Sequence, residues 1–116
     1  WEEVAGEQAM KERQRNQLFN GKTLKSRISA IRSMRNNTYH ELVPELLKLV
    51  ADASQPLELR VNTAECLGWF AHTPRRAEII DACRQAAADK NLEKELRDEL
   101  TQTAIRLEST VSVPTR

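Results

Sequence analysis

One spacing constrains this chain more than any other feature. Asp52 is followed eight positions later by Arg60, and Asp89 is followed eight positions later by Arg97, 37 residues further on. Before each Asp the apolar residues align at the same offset. Val43, Leu46, Leu49 and Val50 fall on Ile80, Cys83, Ala86 and Ala87. An earlier copy lies 33 residues back, with Arg27, Ile28, Ile31 and Met34 under Arg60, Val61, Ala64 and Leu67. A repeat of this length is a small unit that cannot bury its apolar face alone, so it must stack on its copies.

Each unit reads as a pair of helices. Residues 2–19 form a weakly sided helix that breaks at Asn20-Gly21. Thr23 caps a helix over 24–36, whose Leu24, Ile28, Ile31 and Met34 make one buried stripe. Thr38 and Glu41 have capping-box spacing, and the helix they open runs to about Ala53 with Pro44 near its first turn. After Ser54-Gln55-Pro56 a helix over 57–71 carries the best-preserved copy, Leu59–Gly68. Thr73-Pro74 starts a helix over 75–88, with Thr73 as cap and Pro74 at its first position. A last helix spans 93–109. The chain thus divides into an N-terminal helix (1–22), repeats (23–109) and an exposed tail (110–116), with no strand signal.

The period, the two helices per unit and the Asp preceding the second helix's Arg resemble HEAT repeats, over roughly residues 24–109. The match is best at Arg60-Val61, Ala64 and Leu67-Gly68, and poorer in the last helix, where Thr101 replaces the small Ala. The resemblance implies an all-α fold: a right-handed α-solenoid of antiparallel helix pairs of armadillo/HEAT type, with about six helices. It also implies a structural ladder of Asp52, Arg60, Asp89, Arg97 and Arg27 running between neighbouring repeats. It implies a concave surface, lined by the second helices, that binds a protein or peptide. The outward positions there are Arg32, Arg35, Asn62, Glu65, Trp69, Gln102 and Arg106.

Chemistry is scarce. His40-Glu41-Leu42-Val43-Pro44 begins like a zinc-protease helix motif, but Pro44 stands where the second His belongs. Two His and two Cys at these spacings match no zinc pattern. There is no phosphate loop, no nucleophile elbow and no isolated carboxylate pair. The expectation is therefore no catalytic, metal or cofactor site. Cys66 and Cys83 lie in apolar helical patterns and are expected as buried free thiols, a bridge between neighbouring helices being the alternative.

Trp69 and Phe70 end the best repeat helix. Either both pack on the end of the core, or Trp69 stands exposed and anchors a partner, flanked by Arg75 and Arg76.

Net charge is +1, which argues against a general polyanion binder. Between Lys11 and Arg35, however, eight basic residues face one acidic residue, Glu12. That stretch is the one basis for a second reading, a HEAT-like nucleic-acid contact over 11–35. A third reading is an accessory domain at the C-terminal end of a bacterial enzyme such as a peptidase. It rests on the opening at Trp1 in helix-like sequence, which reads as a fragment whose further partner is the rest of a parent chain. Open repeat ends would favour self-association. No apolar run reaches the roughly 20 residues of a membrane span.

Overall fold

A computed structural model describes residues 2–109, so Trp1 and the tail expected over 110–116 lie outside the described residues. The described residues contain six α-helices and no strand. They are α1 (Glu2–Asn20), α2 (Leu24–Ser33), α3 (Val43–Ala51), α4 (Leu57–Leu67), α5 (Arg76–Ala87) and α6 (Lys94–Ser109). A single 3₁₀ turn, His40–Leu42, precedes α3.

Local chemistry sets the breaks. The Gly21 N–H closes α1 on the Gln17 carbonyl at 3.0 Å. A Cβ at Gly21 would sit 2.4 Å from that same oxygen, so only glycine fits this turn. Thr23 caps α2 as expected, its hydroxyl accepting the Ser26 N–H at 3.0 Å.

The capping box does not form. Tyr39 takes the cap position of the 3₁₀ turn, with no side chain bonding back to it. Pro44 explains why: an α-helix opened at residue 39 would need the missing Pro44 N–H and would push its ring into the residue-40 carbonyl. The first turn tightens to 3₁₀, and α3 starts at Val43 with Pro44 in its first positions.

Thr73 and Pro74 also differ from expectation. The Thr73 hydroxyl accepts the Arg75 N–H at 3.1 Å, a local turn, and α5 begins only at Arg76. Two helices end earlier than their apolar pattern does. Met34, Arg35 and Asn36 bond three residues back after α2, as do Gly68, Trp69 and Phe70 after α4. These turns wind more tightly than an α-helix.

Chain neighbours pack together: α1 with α2, α3 with α4 and α5 with α6. Helix α4 also lies against α2 and α6, while α3 meets α5 more sparsely. The core between them is aliphatic apart from Phe70. Its fully buried members include Leu18, Ile31, Met34, Leu46, Leu59, Leu67, Ile79, Leu96 and Leu107. Ala64 is completely buried where α4 meets α6, and the buried Thr103 hydroxyl donates to the Ala64 carbonyl at 2.7 Å. That carbonyl lies in the last turn of α4, where helix carbonyls run out of partners further along the chain. No described helix is long and apolar enough to cross a membrane.

Cys66 and Cys83 are both free and buried. Burial pushes the Cys66 thiol up to about 12 and the Cys83 thiol to about 11. Since the thiolate is the reactive form, an aromatic disulfide reagent at pH 8 should label neither cysteine in the folded chain and both in denaturant. Rapid labelling of the native protein would contradict this burial.

Candidate interaction face

Helices α2, α4 and α6 lie side by side, and their outward side chains form two linked groups. Arg32 on α2 reaches Asn62 on α4, Nε to Oδ1, at 3.3 Å. Arg35, in the tight turn after α2, pairs with Glu65 on α4. The other Glu65 oxygen accepts the Trp69 indole N–H at 3.0 Å. Across the ring, the Arg106 guanidinium of α6 lies 5.3 Å from the Trp69 centroid. One carboxylate thus fixes both a guanidinium and the indole edge, while a second guanidinium covers a face of the ring.

Trp69 is 49% exposed and its neighbour Phe70 is 1% exposed, which decides between the two packings. Arg106 is the cation at Trp69; Arg75 instead pairs with Glu78 at 2.9 Å. Gly68 makes the stacking feasible, because a Cβ there would come within 2.8 Å of Arg106 Nη1. A cleft of about 330 Å³ opens beside the indole, lined by Arg32, Arg35, Asn36 and Trp69.

Of the seven expected positions, Arg32, Arg35, Asn62, Glu65, Trp69 and Arg106 are linked in this way. Gln102 is exposed on α6 one turn before Arg106, so it shares the face. Glu99 belongs to the cluster and escaped sequence reading. Burial raises its pKa, the Glu65 charge adds to the rise, and Arg106 and Arg35 oppose it. The signal for Glu99 was its spacing of three to Gln102 and seven to Arg106.

The ladder needs correction. Asp52 does not pair with Arg60, nor Asp89 with Arg97. Each Asp accepts from the backbone two residues on, Asp52 from Ser54 N–H at 3.0 Å and Asp89 from Asn91 N–H at 2.9 Å. The Ser54 hydroxyl adds a bond of 2.6 Å. It is the main reason the Asp52 carboxyl sits below its usual range, and the Arg60 charge contributes least.

A short carboxylate that closes such a turn is not free to reach the next helix. The arginines donate to backbone carbonyls instead. Nε of Arg27, Arg60 and Arg97 bonds Leu18, Val50 and Leu92 oxygens at 2.7, 2.8 and 3.0 Å. Contact with the following link is kept, through different residues. Arg27 Nη2 donates to Gln55 Oε1 at 3.0 Å, and Arg60 Nη1 lies 4.0 Å from Glu93 Oε1.

Three of the eight cations in the basic stretch 11–35 are matched by carboxylates 30 residues downstream. Lys11 meets Glu41 at 3.3 Å, Arg15 grips Glu45 with Nε at 2.9 Å, and Arg35 pairs with Glu65. The Arg15 hydrogen bonds hold the Glu45 carboxyl below its usual range. A lowered carboxylate contributes stability that is complete above its unfolded value and lost as pH falls through the folded one. Glu45→Gln should therefore flatten the acid side of the stability profile, below about pH 4.5. An unchanged acid limb in thermal melts would show that the pair adds nothing in solution.

Among the described residues no group of three or more His, Cys, Asp or Glu is placed to hold a metal ion. Compared with known proteins, the chain matches no family model, no curated protein and no solved structure.

Proposed function

We propose that this chain is a non-catalytic helical-repeat module of HEAT type that binds an acidic peptide segment across α2, α4 and α6. The order of contacts supports the repeat reading. Three chain-neighbour pairs occur in sequence, and their second helices touch in the order α2, α4, α6. The Cα envelope of 47 × 47 × 17 Å has a thin dimension suited to two helix layers.

The observation that carries the binding reading is the exposed, immobilised Trp69. An indole held at its edge by Glu65 and on its face by Arg106 has lost its rotamer freedom before any partner arrives. Binding then orders less, and a rigid aromatic anchor contributes more. The adjoining cleft presents the guanidinium groups of Arg32 and Arg35. That chemistry suits a carboxylate side chain followed by an aromatic or branched aliphatic residue set on the indole.

Selection of random peptides on the immobilised chain tests this. Enriched peptides should carry Asp or Glu next to an apolar side chain. Trp69→Ala should weaken them by about tenfold or more, the loss expected of a hot-spot residue. Equal binding by the Trp69→Ala chain, or no enrichment, would refute the assignment.

The nucleic-acid reading is weaker, because Glu41, Glu45 and Glu65 neutralise three cations of its basic stretch. The peptide reading holds for a free-standing scaffold and for an accessory domain of an enzyme alike.

A further inference from the structure

A second concavity continues the face that carries Trp69. It has a volume of about 510 Å³ and is lined on α2 by Leu24, Lys25, Ile28, Ser29 and Arg32, and on α4 by Glu58. Arg32 also lines the cleft beside the indole, so one side chain borders both spaces. Its Nε donates to Asn62 Oδ1 at 3.3 Å, which sets a polar bridge between them.

Helical register explains the alignment. Lys25, Ser29, Arg32 and Asn36 recur at spacings of three and four on α2 and the turn after it. Glu58, Asn62, Glu65 and Trp69 do the same on α4 and its turn. The two stripes border one groove, with Trp69 toward one end and Leu24 and Ile28 at the other. Leu24 and Ile28 pack on the core but are only partly covered by it. The floor at their end is therefore apolar, while its rim sets two cations, Lys25 and Arg32, against one carboxylate, Glu58. An apolar floor under a positive rim suits a peptide that offers an aliphatic side chain near a carboxylate.

We infer that the peptide proposed for the Trp69 face runs on along this groove and seats a second apolar side chain on Leu24 and Ile28, four residues from the one on the indole, with an acidic residue between them. This rests on the peptide reading above and adds the length and register of the ligand. The clefts are centred about nine residues apart along α2, which at a rise of roughly 1.5 Å per residue is about 14 Å. An extended chain covers that distance in about four residues, at ~3.3 Å each. Side chains four apart on an extended chain point to the same side, so both anchors face the groove. The carboxylate between them lies along the part of the groove bordered by Arg32 and Arg35.

Short synthetic peptides, followed by NMR on the unaltered chain, test this. The first carries leucine and phenylalanine four residues apart with two aspartates between them. The second has serine in place of the leucine, and the third has the leucine moved one residue closer. The first should shift the Leu24 and Ile28 methyl groups and the Trp69 indole N–H along one binding curve. The second should shift Trp69 alone and bind about tenfold more weakly, having lost the burial of one aliphatic side chain. The third should bind no better than the second, because its leucine points away from the groove.

Ser29→Trp, at an exposed position, should block the second cleft. The first peptide then falls to the affinity of the second, whose own binding is unchanged. Equal affinities for all three peptides, Leu24 and Ile28 methyl groups that stay put, or full affinity of the first peptide for a folded Ser29→Trp chain would each overturn the inference. A Trp69 shift in those cases leaves the single-anchor peptide reading standing. Absence of a Trp69 shift with every peptide overturns both.

Discussion

Arg60→Ala should lower the unfolding free energy by about 2–4 kcal/mol, whereas Asp52→Asn should lower it by less than about 1 kcal/mol. The asymmetry follows from where each group bonds. Arg60 is buried and serves the Val50 carbonyl in the last turns of α3. Its removal strands that buried acceptor and takes the packing of a long side-chain stem with it. Asp52 is exposed and closes only the turn at Ser54.

The double variant makes the test sharper. A paired Asp and Arg would show a coupling energy well above 0.5 kcal/mol, while the observed arrangement gives independent, additive losses. Urea denaturation of the four chains measures this directly. Coupling of 1 kcal/mol or more would restore the direct ladder that the repeat pattern implies.

Phe70→Ala should cost about 3–5 kcal/mol, the range for truncating a fully buried aromatic residue. Among the described residues it is the one fully buried aromatic side chain, and it sits where the tight turn after α4 closes over the core. For a chain whose total stability is expected near 5–15 kcal/mol, that loss brings the folded state close to its limit. Trp69→Ala, one residue away, should cost under about 1 kcal/mol, because the exposed ring loses only its stacking and edge bond. Thermal melts separate the two. Equal shifts would mean that Trp69 belongs to the core after all.

The sequence reading succeeds where a single rule governs. Helical spacing of Leu24, Ile28, Ile31 and Met34 places α2. Asn20-Gly21, Ser54-Gln55-Pro56 and Thr73-Pro74 mark breaks that the structure keeps. It fails where two local preferences compete. Pro44 overrides the Thr38–Glu41 box, and Ser54 and Asn91 capture the carboxylates that spacing assigns to arginines. The Asp-x-Ser and Asp-x-Asn triplets are legible turn signals, but the repeat pattern outweighed them.

Asn62, Glu65 and Trp69 lie on one side of α4 and the turn after it, as spacings of three and four residues on a helix dictate. Which aromatic points outward was not legible. The last turn of α4 winds more tightly than an α-helix, and the angle between successive side chains changes there. Arg106 at the ring is a contact between distant segments, beyond the reach of local pattern.

The glutamates set 30 residues beyond their cations give the molecule unequal seams. Where the first helix pair joins the second, buried Leu18, Ile31 and Met34 are rimmed by three ion pairs, Lys11, Arg15 and Arg35 with Glu41, Glu45 and Glu65. Where the second joins the third, buried Ala64, Leu100 and the Thr103 hydroxyl carry the join, with one long ion pair, Arg60 to Glu93, and Arg106 on Trp69 at its rim. Salt screens charges near the surface and acid discharges carboxylates, but neither reaches a dry hydroxyl-to-carbonyl bond. Ionic conditions therefore act on one end of the stack first. Raising salt should lower amide protection in α1 and α2 more than in α5 and α6, with the shared core of Leu18, Ile31 and Met34 staying closed.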